Sequence, residues 1–457
     1  MHTRRLTSLA AIAVLAFSAC TPAPSAAPTG AGSTTPPAGT PGPTTAAGPN
    51  AELTAAMAGE YDGTTIDILA QWIDAEGTAF DASLDAFRDA TGINVVYSGI
   101  TNYETVLGVR VDGDLAPDIA QIAQPGRMRT FQANGNLVDL DTVLDGAAVR
   151  ANYGEGFIAD SSVDGKLYGL YYSQNFKSIV WYPNAAFEDA GYAAPTTWAE
   201  LQALVDKIKA DGNGAPWCTS IEHGDVTGWV ATDWLEDVLL RTAPVETYDQ
   251  WAAHEVPFTD PAVVTALDTV GEMWFTEGNT YGGAERIAGT WVGDSQTPMF
   301  DDPPKCWLHK QAAWIPDFWP EGTVAGVDSS FFYFPGIDPA YGNPVLGAAD
   351  QFVMFNDRPE VRALMQWFST PDSVKSRVET GGFLAASNAV PAEWYTLYPM
   401  SGLAEIGRNA TIARSDASDA MSPERQAVFH AALLKWVQAE GANTEEILQE
   451  IEDNWPE

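Results

Sequence analysis

Residues 305–320 read Lys-Cys-Trp-Leu-His-Lys-Gln-Ala-Ala-Trp-Ile-Pro-Asp-Phe-Trp-Pro, gathering three tryptophans, a phenylalanine, a cysteine and two prolines into sixteen positions. Trp307, Trp314, Phe318 and Trp319 can offer flat apolar faces, and Asp317 among them can accept hydrogen bonds. Aromatic faces beside a carboxylate suit a ligand that has both C–H faces and hydroxyls, as a carbohydrate does. Large aromatics also dominate ordinary cores, so this stretch alone leaves both uses open.

Such groups need elements to hold them. Residues 64–70 (Thr-Thr-Ile-Asp-Ile-Leu-Ala) form a β-branched run that predicts a buried strand. Phe80, Leu84 and Phe87 then recur at helical spacing, with Thr91-Gly92 as a stop and 93–97 as a second strand. A strand–loop–helix–strand unit predicts a parallel pair in an α/β sheet, where ligands sit beyond the carboxyl ends of strands. Trp72, Asp74 and Glu76 occupy that place, and Gln124 follows the next strand candidate, 116–122. Glu76 has a plainer reading as a first-turn residue complementing a helix dipole. Asp164-Gly165 is a tight hairpin signal, and Thr197 with Glu200 predicts a capping box opening a helix. Residues 231–240 read as an amphipathic helix, so Trp234 there suits core packing as well as a ligand.

Taken in order, Asp164-Gly165-Lys166-Leu167-Tyr168-Gly169-Leu170, Trp181-Tyr182 and Pro195-Thr196-Thr197-Trp198 resemble the extracellular sugar-binding proteins of ABC transporters. Thr91-Gly92-Ile93, Pro117-Asp118-Ile119 and Gly381-Gly382-Phe383-Leu384-Ala385-Ala386 are similar to the same family. Pro216-Trp217-Cys218, Thr227-Gly228-Trp229, Ala231-Thr232-Asp233-Trp234, residues 305–320 and Phe331-Phe332-Tyr333-Phe334-Pro335 are similar to its α-glucoside-binding members. The resemblance implies an α/β, two-lobed periplasmic-binding-protein-like fold with hinge strands between the lobes. Lobe 1 would comprise 51–170 plus 346–395, and lobe 2 would comprise 171–345 plus 396–457. It also implies an α-glucoside or oligosaccharide ligand, ABC permease subunits as partners, a monomer, and no cofactor or metal.

Carried over by position, Trp72, Asp74, Glu76 and Gln124 would line the first lobe. Asp350 and Gln351 match a position where the family often has Gly-Gly-Asp, with Ala348-Ala349 here replacing part of it. Trp319, placed at the end of a strand through Ala312-Ala313, would be the stacking residue of the second lobe. Trp229, Trp234 and Phe383 are further candidates. Every hydroxyl of a buried pyranose must regain a hydrogen bond, and charged acceptors such as Asp74, Glu76 and Asp350 give the stronger replacements.

The chain starts with a short basic region, an apolar run from Leu6 to Phe17, and Ser18-Ala19 before Cys20, a secretory-signal pattern. The cysteine makes it resemble a bacterial lipoprotein signal, 1–20, with lipid on Cys20, although Phe17 stands where leucine is usual. A plain signal peptide with a chance cysteine is the alternative. Residues 21–50 are almost wholly Thr, Pro, Ala, Gly and Ser, which predicts a disordered tether. The expected location is extracytoplasmic, on the membrane through lipid. With Cys20 lipidated, Cys218 and Cys306 remain in an oxidising compartment and predict a disulfide, two free buried thiols being the alternative. A formal net charge of −38 argues against nucleic acid, which needs a basic footprint. A secreted glycoside hydrolase acting on α-glucosides is the rival reading, since it too sets carboxylates and aromatics in a cleft. Nucleophile-elbow, zinc-protease and phosphate-loop motifs are missing, and the five histidines lack metal-ligand spacing.

Overall fold

The computed structural model describes residues 50–381 and 383–456. The signal segment, Cys20, nearly all of the tether and Gly382 lie outside the described residues. Strands β1 (Thr65–Ala70), β2 (Asn94–Gly99) and β3 (Ile119–Ile122) pair in parallel, with β1 central. The helical pattern expected from Phe80 starts earlier, at Asp74, and breaks at Leu84 into Asp74–Ser83 and Asp85–Thr91. Phe80 and Phe87 are nonetheless its buried positions. The hairpin β4 (Ser162–Val163) and β5 (Lys166–Leu167) turns at Asp164-Gly165.

Strand β6 (Gly169–Phe176) nearly abuts β7 (Ile179–Pro183). A four-stranded sheet runs β10–β7–β9–β8, with β8 Ala215–Trp217, β9 Cys306–Lys310 and β10 Ser329–Tyr333. The long strand β11 (Pro344–Met354) completes the first sheet, which has six strands, pairing with β3, β6 and β12 (Ile412–Ser415). The capping box at Thr197 and Glu200 opens the helix Trp198–Asp211.

One core joins Ile66, Ile68 and Phe80 to Tyr172, Phe352, Leu364 and Val390. Another wraps the helices Trp229–Thr242, Pro261–Phe275 and Pro423–Gln438 around Trp234, Trp274 and Trp436. Three segments pass between the cores. Tyr172 of β6 packs in the first, whereas Val180 of β7 packs in the second. Leu346 and Phe352 divide β11 in the same way, and a third passage follows Tyr395.

Two of these passages are tied down at one point. The Ser178 hydroxyl donates to Asp237 at 2.6 Å and accepts the Leu346 N–H at 2.8 Å. Asp237 also faces Arg241 and, at 3.0 Å, Lys310. Burial pushes the Asp237 carboxyl up, but these two cations outweigh it and hold it below its ordinary value. Arg241 in turn donates to the carbonyls of Phe334, Pro335 and Pro344, which anchors its guanidinium in the buried site.

Cys218 and Cys306 are joined as a disulfide, their Cα atoms 5.4 Å apart, where β8 runs beside β9. Among the described residues no helix is long and apolar enough to cross a membrane.

Candidate functional site

Between the two cores lies a partly open cleft, lined by side chains from both. Its first wall comes from the ends of β1 and β3 and the middle of β11. Gln71 N–H donates to Gln121 Oε1 at 3.1 Å, and Gln121 Nε2 donates to Asp350 Oδ1 at 2.7 Å. Ser173 Oγ donates to the other Asp350 oxygen at 2.6 Å. Asp350 is therefore fixed in the wall at a register shift of β11 against β6. Burial pushes its carboxyl up, and the bonds from Ser173 and Gln121 oppose that. Glu76, in the first turn of Asp74–Ser83, also faces the cleft. Burial drives its carboxyl well up; Arg377 opposes this, and Asp317 and Asp350 reinforce it. Gln124, 8 % exposed, donates through Nε2 to Glu104 at 3.3 Å, while its Oε1 has no partner within the protein. A buried acceptor without a donor awaits one from outside.

The second wall is aromatic: Trp229, Trp291, Trp314 and Phe318. Trp229 opens the helix Trp229–Thr242 and Trp314 precedes the short 3₁₀ turn Ile315–Phe318. Their rings are 6.1 Å apart, and Phe318 lies 5.5 Å from both Trp314 and Trp291. Gly228, at φ 122°, brings the helix start so close to His430 that a Cβ would meet its carbonyl oxygen at 2.7 Å. Only glycine allows that approach.

Lys177, on the first passage between the cores, lies at the cleft floor. It donates to Asp233 at 2.8 Å and Asp416 at 2.5 Å, with Asp419 at 3.9 Å, and its Nζ lies 5.5 Å from the Trp229 ring centre. Burial would lower its pKa, but the three carboxylates overcome this and hold it charged. Burial also acts on the carboxyls: Asp233 and Asp419 are raised, whereas Lys177 and hydrogen bonding keep Asp416 below its ordinary value. Burial pushes His430, also at the floor, down to about 4, leaving it neutral.

Of the ten residues expected at the ligand, the structure brings Trp72, Glu76, Gln124, Trp229 and Asp350 together around this cleft. The other five lie elsewhere. Trp319 is not at the end of a strand, because β9 stops at Lys310 and the chain turns through Ile315–Phe318. That turn sends Trp314 and Phe318 to the cleft and Trp319 inward, edge-on to Trp181 at 5.2 Å and near Phe300 at 5.3 Å. Trp234 is wholly buried between Trp217 and Trp274. Asp74 is exposed, since the helix starting there turns it away from the Glu76 side. Gln351 alternates to the opposite strand face and packs on Gly169, and Phe383 packs on Tyr172 and Arg377. Trp72 is 3 % exposed and also a core residue against Phe80.

Sequence reasoning did not reach Trp291, Lys177, Asp416 or Asp419. Trp291 carries no motif, and Lys177 finds its partners 56 and 239 residues away. Trp314 and Phe318 did stand in the aromatic stretch, and only the side they face was undetermined.

Comparisons with known proteins agree with this architecture. The chain is 38 % identical over 402 residues to the osmoprotective compounds-binding protein GgtB of Synechocystis sp., covering 87 % of this chain and 94 % of the relative. It is 39 % identical over 376 residues to the alpha-glucosides-binding periplasmic protein AglE of Rhizobium meliloti, covering 79 % and 81 %. Its fold matches the solved bacterial solute receptor AcbH with a TM-score of 0.71 at 19 % identity, over 85 % of this chain and 98 % of that one. Residues 72–375 match the family described as bacterial extracellular solute-binding protein. The chain belongs to that family, with its two-lobed α/β fold, and is a receptor that binds a solute rather than an enzyme.

Proposed function

We propose that this receptor captures an α-glucoside or small oligosaccharide in the cleft and delivers it to the membrane permease of an ABC importer. The observation that carries this reading is the division of the walls. Acceptors Glu76, Gln124 and Asp350 stand on one side, and Trp229, Trp291, Trp314 and Phe318 on the other. A pyranose needs both, since its hydroxyls must be satisfied and its C–H faces covered. The name of one relative, the alpha-glucosides-binding protein AglE, favours a glucoside. The lobes correspond to 51–170 with 346–395 and to 171–345 with 396–457. Contacts made in both lobes favour the closed state over the open one, and the permease recognises the closed form. The receptor works as a monomer, held outside the membrane by lipid at Cys20 and the tether that follows.

Calorimetry of the purified chain against maltose, trehalose, sucrose and longer α-glucans tests this, followed by product analysis of the recovered sugar. Heat of binding with unchanged sugar supports the reading. Absence of binding to every α-glucoside removes the ligand assignment, and cleaved sugar removes the receptor role.

A further inference from the structure

Trp229 is the one tryptophan of the aromatic wall whose indole N–H is held by another cleft residue: Nε1 donates to His223 Nδ1 at 2.9 Å. A ring nitrogen that accepts from an N–H carries no proton, so the imidazole is neutral with its hydrogen on Nε2. The His223 backbone is itself fixed, its N–H donating to Thr227 Oγ1 at 2.9 Å. Over its face the Trp229 ring meets Lys177, which is locked by Asp233 and Asp416. The indole is therefore held by one acceptor at its N–H and one cation over its ring, and only the acceptor can change its charge near neutral pH.

We propose that His223 is the positioning residue of the Trp229 platform, and that protonating it releases the indole and lowers sugar affinity. Protonated imidazole would aim a second N–H at the indole N–H, two donors face to face. This inference rests on the reading of the cleft as a sugar site. The charged groups facing His223 are Glu222 and Asp225 on its own segment and Glu104 across the cleft, with Arg127 bound behind Glu104 to its carbonyl. Burial holds the imidazole below its ordinary value, and the three carboxylates only partly offset this. The platform is thus set at neutral pH and lost on acidification.

Two variants separate positioning from mere packing. His223→Gln offers an acceptor that does not titrate, and His223→Ala offers none. Dissociation constants for maltose, trehalose and sucrose are measured from pH 7.5 to 4.5. At pH 7.5 His223→Gln should bind within threefold of the natural protein and His223→Ala at least tenfold more weakly. On acidification the natural protein should lose affinity faster than His223→Gln, at most tenfold per pH unit for a single proton. Parallel curves, or a glutamine variant as weak as the alanine variant, would overturn the role. The indole ¹H signal of Trp229, assigned through Trp229→Phe, is followed in the ligand-free chain over the same range. It should shift on acidification in the natural protein and stay in place in His223→Gln; equal behaviour would overturn the proposal. Because this arm needs no sugar, failure of all three sugars to bind would strike the ligand assignment while the Trp229–His223 clamp is still decided.

Discussion

Asp225 joins the two rims of the cleft. It belongs to the short turn Gly224–Val226 after β8, yet its carboxylate accepts the backbone N–H of Thr105 at 3.2 Å and bonds the Thr105 hydroxyl. Thr105 is the third residue of the helix Tyr103–Asp112 on the other side of the cleft. That helix has no cap of its own, because Asn102 sits at φ 52° and its side chain accepts no capping bond. The opposite rim therefore supplies the missing cap. Capping is worth about 1 kcal/mol, and a negative charge at a helix start adds about 0.3–1 kcal/mol. Both partners are exposed, so the lower sum, about 1 kcal/mol, is the fair figure. Asp225→Ala should then shift the closed-to-open ratio by about fivefold, since 1.4 kcal/mol is tenfold, and raise the sugar Kd by no more than that factor. Fluorophores on the two rims would read the closed fraction, and calorimetry the Kd. Asp225→Asn, which keeps the acceptor, should fall between. High salt should weaken the natural protein toward the variant. Closed fraction and Kd unchanged within twofold would refute the reasoning, as would equal loss of global stability and affinity.

Trp314→Ala should weaken sugar binding by at least tenfold at nearly unchanged stability, whereas Trp319→Ala should cost about 3–5 kcal/mol of folding free energy. Urea unfolding beside calorimetry distinguishes the two, and the reverse pattern would return Trp319 to the cleft. Lys177→Met strands Asp233 and Asp416 without their cation and should destabilise by about 3–5 kcal/mol in urea; a cost below about 1 kcal/mol would show that they protonate freely. Asp317, pushed up to about 6 by burial against the pull of Arg377, is ionised at a cost above that pH. Asp317→Asn should therefore stabilise the ligand-free chain by about 1–2 kcal/mol at pH 7.5. The gain fades as pH falls through about 6 and is gone below the unfolded carboxylate value near 3.9. A gain that persists at pH 3.5 would assign it to something other than charge burial.

Local signals were legible in the sequence where one segment decides the outcome. The β-branched run of β1, the Asp164-Gly165 hairpin and the Thr197–Glu200 capping box each fix their own backbone, and all three form as expected. The parallel β1–β2 pair followed from the element between them. Glu76 and Gln124 could be placed because strand ends in such sheets point at ligands. Facing directions were less legible. Trp314, Phe318 and Trp319 differ in role through one 3₁₀ turn, whose phase no periodic pattern announces. The Lys177 cluster depends on Asp416 and Asp419, brought in by the late strand β12 and the turn after it. Asp74 moved outward because the helix began six residues before its first apolar position.

The cores also set a timetable. The first unites Ala56 with Val390, and the second reaches from Val180 to Ile451. At roughly 5–20 residues per second, the ribosome needs about 20–70 s to add the residues between Ala56 and Val390. Throughout that interval the early strands have no complete partner surface, so the nascent chain cannot lock into its final shape. A protein of an extracellular family gains from such delay: the polypeptide stays threadable until almost all of it has been made.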